Sequence, residues 1–359
     1  MASTKPKITR KTVVLPLIGI AAFLVYLYLF QVDLPEIIAT IQTVDTLTYL
    51  AAALLIFVDT FFYAMAWRTL LNHLSVKLPI LKAYLYIWYG TFIDLIIPAE
   101  SISGEISRAY LITREKGNHV SGKVVASLVA HRLISTSIGL TTLIVGVCLL
   151  LTYSGFNDLI FNLSIFLICA TLFFLILLLL LCTKRNWTLG IIERLLNFFE
   201  RLTRGKWNLM KFKEDVTKAA EMFHESMQEF RHTPKIVFFA TFLSSVSWFS
   251  YLAISYTVFM AMHFPTSFHL WSTILVTQAI VNTIKSIPVG IPFEVGLPEI
   301  TMTTIYTILG IPMNVSATST ILNRLLTVWL RFFVSFAVQQ WIEIKAVKTS
   351  LKVASIEKA

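Results

Sequence analysis

The sequence predicts an all-α polytopic membrane protein, built as a helical bundle of two inverted repeats. Of its 359 residues 56% are hydrophobic and only 14% are charged, whereas globular chains carry about 25% charged residues. Several apolar segments are long enough to cross a hydrocarbon core of about 30 Å. Two short stretches rich in proline and glycine interrupt other apolar segments, one in each half of the chain. Such paired interruptions are typical of transport proteins with internal repeats.

Six apolar segments are predicted to span the membrane fully. Lys and Arg are concentrated in residues 1–11, in the stretch from Arg68 to Lys82 and in residues 345–359, while the loop after the first span has only acidic charges. The positive-inside rule therefore places both termini in the cytoplasm, and we expect a multi-pass protein of the plasma membrane. The predicted spans are Thr12–Phe30, Leu47–Trp67, Lys123–Leu151, Leu159–Cys182, Val237–Met262 and Ser316–Ile344.

Two further apolar segments are predicted to be re-entrant elements of opposite orientation. Leu81–Ile97 ends at Pro98 and has basic residues on both sides, so it enters and leaves at the cytoplasmic face. Leu270–Ile287 ends at Pro288, and the sequence after it carries no Lys or Arg until the last span, which places its opening outside. An eight-span alternative has Leu270–Ile287 and Ile291–Ile311 crossing in succession.

The features of the first break recur in the same order around the second. Arg132 follows Pro98 by 34 residues, and Arg324 follows Pro288 by 36 residues. Each interval contains a glycine and a glutamate beside the break and a second glycine further on. No α-helix persists through such a density of prolines and glycines. A broken backbone at membrane depth is tolerated only where protein or a water-filled cavity surrounds it, which indicates a site.

The longest polar segment, residues 184–235, is predicted to be a cytoplasmic amphipathic helical linker. It divides the chain into a first membrane half, residues 12–183, and a second, residues 236–344, with basic tails at residues 1–11 and 345–359. Its first part has an apolar stripe at helical spacing, suited to an interfacial helix. In its second part, apolar residues alternate at four- and three-residue steps, as in a short coiled-coil seam. These are Val216, Ala220, Phe223, Met227 and Phe230.

The candidate site residues are the charged side chains near the two breaks, because charges inside a bundle are expensive and tend to pair. The leading pair is Glu294 with Arg324, an arginine being suited to bind phosphate through two nitrogens at once. The alternative is a salt bridge that only holds the broken segment in place. The predicted polar path comprises Glu294, Arg324, Glu299, Glu105, Arg108, Arg132, Arg331 and Lys285. The predicted broken-helix residues are Pro98, Gly104, Pro288, Gly290, Pro292 and Gly296.

Spacing along helices adds three local expectations. Glu105 and Arg108 are three residues apart and are expected to share a helix face, where they can simply pair with each other. Arg331 follows Arg324 by seven residues and is expected on the same face. Asp59 is a lone aspartate within a span, which fits either a structural hydrogen bond or a functional role.

These motifs resemble the flippase-like membrane region of lysylphosphatidylglycerol synthases, and the chain looks like a stand-alone member of that family. The resemblance lies in Pro98, Gly104-Glu105 and Arg108-Ala109, and in Pro288-Val289-Gly290 with the later Asn323-Arg324. It covers nearly the whole chain and implies a function concerned with lipids or lipid-linked sugars. Two positions depart from the family pattern. Glu100, Ser101 and Ser103 stand where the family more often has small and basic residues, and His131 replaces a common acidic residue.

The sequence favours a translocase of phospholipids or lipid-linked sugars over an enzyme. Its seven histidines have no metal-ligand spacing, no glycine-rich phosphate loop follows a strand, and we expect no metal or other cofactor. We also expect the soluble aminoacyl-transferring domain of the synthases to be missing. The alternatives are a membrane enzyme or accessory subunit acting on polyprenyl-phosphate lipids, and a non-transporting scaffold.

The predicted partners are membrane lipids, either anionic or carrying polyprenyl phosphate. The net charge of +10 fits the cytoplasmic excess of Lys and Arg and attraction to anionic head groups, not nucleic acid. A membrane glycosyltransferase or a second copy of the chain is a further possible partner.

Overall fold

The computed structural model describes residues 35, 39, 42–97, 102–153, 158–202, 210–285 and 296–356. The predicted first span Thr12–Phe30 lies outside these residues. So do five predicted site residues, which are Pro98, Pro288, Gly290, Pro292 and Glu294.

The described chain consists of helices and the turns that join them, with no strand in these ranges. In chain order the helices are α1 (Thr46–His73), α2 (Ile80–Ile96), α3 (Ile102–Lys116), α4 (Ser121–Tyr153), α5 (Asp158–Thr183), α6 (Arg185–Leu202), α7 (Met210–His232), α8 (Pro234–Ala261), α9 (Phe268–Lys285), α10 (Leu297–Ile308), α11 (Met313–Arg324) and α12 (Arg331–Ile356). A 3-10 turn at Asn118–Val120 precedes α4, and a π-helical turn at Leu325–Leu330 joins α11 to α12.

Five of the described helical segments are long and apolar enough to cross a membrane. They correspond to five of the six predicted spans, and the predicted all-α polytopic fold is confirmed. The segments are Thr46–His73, Asn118–Thr152, Asp158–Thr183, Pro234–Ala261 and Met313–Lys345.

The helices α1 and α8 form an antiparallel pair that defines the two ends of the bundle. At one end the backbone N–H of Asp45 donates to the carbonyl of Ala261 at 2.8 Å. At the other end the Oγ1 atom of Thr233 lies 3.0 Å from Nε2 of His73. The loops predicted to be outside thus share one end, called here the Ala261 end, and loops predicted to be cytoplasmic share the other, the His73 end.

The helices α2 and α3 form a hairpin whose open end lies at the His73 end. Glu115, near the end of α3, accepts hydrogen bonds from Lys82 at 2.6 Å and Tyr86 at 2.9 Å, both in the first part of α2. Near its tip, Phe92 packs on Phe332 of α12, one residue beyond Arg331. Arg331 contacts Asp59 in the middle of α1, so the hairpin reaches about half-way through the bundle.

The helices α9 and α10 form a second hairpin whose open end lies at the Ala261 end. Its outer residues share an apolar cluster with the loop that follows α8, including Phe264, Leu270 and Ile311. Near its other end, Asn282 of α9 lies beside Gly139, at the middle of α4. With 12 residues, α10 is about 18 Å long, shorter than a hydrocarbon core of about 30 Å.

The two hairpins therefore approach the middle of the bundle from opposite ends, as the prediction of two re-entrant elements requires. The eight-span alternative needs α10 and the residues before it to cross the membrane. The contacts place the start of α9 and the end of α10 at the same end of the bundle, which that alternative also requires, so the eight-span alternative stays a prediction. Gly117 after α3 and Gly310 after α10 both have positive φ, at 97° and 90°, so each second hairpin helix ends in the same way.

The apolar seam predicted in the linker packs on the membrane helices of the same chain. In α7, Phe223, Met227 and Phe230 join a cluster with residues of α1, α4 and α8. A Cβ atom on Gly122 of α4 would lie 2.3 Å from the carbonyl oxygen of Ala219, so glycine permits this close approach. The seam thus attaches α7 to the His73 end of the bundle.

Replacing Gly104 with Ala is expected to destabilise the first hairpin. A Cβ atom there would lie 2.1 Å from Oδ2 of Asp94 and 2.7 Å from the carbonyl oxygen of Gly90. Such overpacking typically costs about 1–3 kcal/mol. The control is Gly139→Ala, whose nearest neighbouring atom is 3.8 Å away. Thermal unfolding in detergent should show a lower midpoint for Gly104→Ala only, and equal midpoints would contradict the close helix contact.

The opposite orientation of the hairpins predicts opposite labelling of the exposed residues Asn118 and Asn314. Asn118 follows the first hairpin and Asn314 follows the second. In a background without the exposed cysteines Cys148 and Cys169, an impermeant maleimide on intact cells should label Asn314→Cys. It should label Asn118→Cys only after permeabilisation. Labelling of both variants from one side would show that the hairpins do not open to opposite faces.

Candidate functional site

The second hairpin carries a buried ion pair between Glu299 and Arg324. Glu299 lies in the first turn of α10, and Arg324 is the last residue of α11. The Nε atom of Arg324 donates to Oε1 of Glu299 at 2.6 Å, and the two side chains are only 8% and 4% exposed. The other carboxylate oxygen, Oε2, accepts the backbone N–H of Gly296 at 2.7 Å. Glu299 therefore both caps α10 and neutralises Arg324.

Arg324 was predicted to pair with Glu294, and the contact found among the described residues is with Glu299. Glu294 lies in the part of the chain that the structure does not describe, so its predicted role remains a prediction. The glycine predicted to break the helix, Gly296, is the residue immediately before α10.

A network of polar side chains that includes Asn323, the residue before Arg324, connects α8, α9 and α11. The hydroxyl of Ser255 accepts hydrogen bonds from Gln278 at 2.8 Å and from Asn323 at 2.7 Å. The side-chain Oε1 atom of Gln278 in turn accepts a hydrogen bond from the hydroxyl of Tyr251 at 3.4 Å. Gln278 and Asn323 are both buried, so these hydrogen bonds join neighbouring helices inside the bundle.

The first hairpin carries a looser pair between Glu105 and Arg132. Glu105 lies in the first turn of α3, and Nη1 of Arg132 in α4 is 3.6 Å from its Oε1 atom. The side chains of Glu105 and Arg132 are 18% and 32% exposed, so this pair is partly exposed whereas the other is buried. The start of α3 is held by Asp94, whose Oδ1 atom accepts from Ser103 at 2.7 Å and from the N–H of Gly104 at 2.6 Å.

The two pairs occupy equivalent places in the two halves. In each half a glutamate in the first turn of the second hairpin helix contacts an arginine on the next helical segment. The predicted correspondence of Arg132 with Arg324 fits this arrangement. The glutamate that corresponds to Glu105 in the second half is therefore Glu299. The sequence pattern had favoured Glu294 for that place.

Two local expectations for the first half need correction. Arg108 does not pair with Glu105; its Nε atom donates to the carbonyl of Gly104 at 3.3 Å, and its guanidinium lies 5.2 Å from the centre of the Trp67 ring. Gly104 is not in the break, because α3 has already begun at Ile102. Its role is close packing against α2.

Arg331 does not face the same partner as Arg324. It contacts Asp59 of α1, whose Oδ1 atom also accepts a hydrogen bond from Ser247 at 2.6 Å. A π-helical turn, with hydrogen bonds to the fifth residue along the chain, separates the two arginines and shifts the register. A spacing of seven residues therefore no longer returns to one face. Lys285, the last residue of α9, is partly buried.

Sequence reasoning left Asp59 undecided and did not assign Asp94 to the site. Both are carboxylates within otherwise apolar segments, and that was the available signal. Among the described residues no group of three or more His, Cys, Asp or Glu side chains is arranged to hold a metal ion. The described site consists of paired charges and the hydrogen bonds beside them.

Breaking the Glu299–Arg324 pair is expected to cost about 3–5 kcal/mol of unfolding free energy, because one buried charge then stays uncompensated. Glu299→Gln should cost more than Arg324→Gln, since a carboxyl group can take up a proton but a guanidinium cannot lose one. The double variant should cost less than Glu299→Gln alone. Reversible unfolding in mixed detergent micelles measures all three.

The matched control is Glu115→Gln, which removes the exposed pair with Lys82 at the mouth of the first hairpin. Exposed pairs contribute about 0–1 kcal/mol, so its unfolding free energy should stay within that range of the wild type. Additive effects of the Glu299 and Arg324 substitutions would show that the two side chains are not coupled.

Comparison with known proteins identifies the family of the chain. Residues 15–335 match the model of the family described as the lysylphosphatidylglycerol synthase TM region. A UPF0104 membrane protein of Pyrococcus horikoshii is 20% identical over 320 residues, which cover 88% of this chain and 92% of that protein. The chain therefore belongs to the lysylphosphatidylglycerol synthase TM region family.

Proposed function

We propose that this protein translocates lipids with a phosphate-bearing head group between the leaflets of the plasma membrane. The observation that carries the proposal is the pair of half-depth hairpins, which open at opposite ends of the bundle and each present a Glu–Arg pair. A head group moving between leaflets must leave water and pass the hydrocarbon core. Charged side chains at half depth are costly, and in membrane proteins they typically mark a path for substrates or ions.

The difference between the two pairs supports a path that is open on one side at a time. Glu105 and Arg132 are 3.6 Å apart and partly exposed, and Glu299 and Arg324 are 2.6 Å apart and buried. A head group could therefore reach the first pair from the His73 end while the second pair is closed. Separating Glu299 from Arg324 would expose an arginine to the phosphate and a glutamate to a proton or to a cationic group. In this proposal transport is passive or coupled to an ion.

The test is head-group exchange between leaflets in proteoliposomes, with fluorescent phosphatidylglycerol and a polyprenyl-phosphate reporter in separate arms. The wild type should accelerate exchange of at least one reporter over empty liposomes. Glu299→Gln and Arg324→Gln should each slow it by about 10-fold or more, since a loss of about 1.4 kcal/mol at the barrier is a factor of ten in rate.

The control variant is Arg185→Gln, which removes an exposed ion pair with Glu221 in the linker and should leave exchange unchanged. Equal rates in all variants would contradict a path through the second pair. Exchange no faster than in empty liposomes for every reporter would contradict translocation. A new lipid product, or a co-purified glycosyltransferase, would instead favour the membrane enzyme or accessory subunit.

A further inference from the structure

Arg108 is a buried guanidinium that uses its Nε–H in a hydrogen bond to Gly104 but has no partner for Nη1 among the described residues. The residue is 4% exposed, and its Nη1 atom is buried and has no hydrogen-bond partner there. The carboxylates of Asp94 and Glu105 are close enough to attract its charge, but their short contacts are made elsewhere, Asp94 with the start of α3 and Glu105 with Arg132. Arginine stays charged in proteins. A buried charged donor without an acceptor is expensive, and therefore needs an explanation.

His131 provides a second buried nitrogen without a partner in the same place. The residue is 2% exposed, and its Nε2 atom makes no hydrogen bond to any described group. Its ring lies edge-on to Tyr63, with the ring centres 4.4 Å apart, and the Arg108 guanidinium lies 6.0 Å from the same tyrosine ring. Two unpartnered nitrogens, one from α3 and one from α4, thus flank one aromatic side chain of α1.

The guanidinium of Arg108 is held in position by aromatic rings. Trp67 lies beneath it at 5.2 Å, and the indole N–H of Trp67 donates to Ser127 at 3.2 Å, which fixes the ring. Cation–π contacts of this kind stabilise an arginine without using its N–H groups. The N–H groups of Nη1 are therefore held in place and can donate to an anion.

We propose that Arg108 and His131 together bind a phosphate oxygen, so that this cluster is an anion site of the first half. The proposal rests on the proposed function in one respect, because it names the head-group phosphate of the transported lipid as the ligand. Arginine presents N–H groups in a geometry that matches phosphate oxygens, and a neutral histidine donates one more hydrogen bond. Phosphate oxygens point in tetrahedral directions, so donors from two different helices can reach one phosphate.

The site is close to the end of the bundle from which the first hairpin opens. Trp67 is six residues, about 9 Å, from the end of α1 at His73. Arg108 is one turn nearer to the open end of the hairpin than Glu105, and the neighbouring Glu105–Arg132 pair is partly exposed. The site is distinct from the buried Glu299–Arg324 pair of the second half.

The experiment is isothermal titration calorimetry of the purified full chain in nanodiscs of a zwitterionic lipid. Inorganic phosphate is the probe in one arm and dihexanoyl phosphatidylglycerol in the other. Arg108→Gln should weaken binding by about 10-fold or more, the usual loss for a hydrogen bond to a charged group. His131→Phe keeps a ring and removes the nitrogen, and should weaken binding several-fold. The control is Arg114→Gln, an exposed arginine on the same helix, which should bind as the wild type does.

The two arms separate the sources of the phosphate. Binding of both probes, lost in Arg108→Gln, would support an anion site that accepts free phosphate as well as a lipid. Binding of the lipid probe alone, with the same loss, would support a site for lipid head groups. Absence of saturable binding in both arms would overturn the proposal. Unchanged affinity in Arg108→Gln would do so too. Should that variant not fold, unchanged affinity in His131→Phe would overturn it.

Leaflet exchange measured on the same proteins distinguishes this proposal from the proposed function. Arg108-dependent binding without any exchange by the wild type would retain the anion site and reject translocation. Exchange by the wild type, with unchanged phosphate binding in Arg108→Gln, would retain translocation and reject the site.

Discussion

The contact between Glu299 and Arg324 joins two segments that share no backbone hydrogen bonds, the start of α10 and the end of α11. Hydrocarbon cannot solvate either charge, so each requires the other, and the backbone N–H of Gly296 satisfies the remaining carboxylate oxygen. This arrangement holds a short helix at half depth although its N-terminus follows a proline-rich stretch. The hydrogen bonds of Ser255 then connect the neighbouring helices around it.

In both halves the buried charges need partners, and the two halves provide those partners to different degrees. In the first half the carboxylates are divided between two tasks, Asp94 at the start of α3 and Glu105 with Arg132. Arg108 is left with aromatic neighbours and an unused donor. In the second half a single glutamate both caps the helix and pairs with the arginine. The first half is therefore the place where a ligand of negative charge has the most to contribute.

The halves are also connected to each other, which limits how each hairpin can move. The first hairpin packs on α12, where Tyr89 donates to Glu343 at 2.9 Å and Phe92 stacks on Phe332. Arg331, at the start of α12, contacts Asp59 of α1. The π-helical turn Leu325–Leu330 lies between this contact and Arg324, and π-helical turns are frequent at functional sites. The segment from Arg324 through the π-helical turn to α12 thus connects the second half with the first hairpin.

The sequence by itself determined the elements, because hydrophobic length, basic loops and proline–glycine breaks act locally and do not depend on which helices meet. Five described spans, two interrupted hairpins and the matching order of Arg132 and Arg324 follow from those patterns. The partners were decided only by tertiary structure. Spacing suggested that Glu105 would pair with Arg108 and that Arg331 would share a face with Arg324. Because of the way the helices cross, and because of the π-helical turn, Glu105 instead contacts Arg132 and Arg331 contacts Asp59. A buried charge pairs with whatever charge packing brings within reach, and no local pattern specifies that distance.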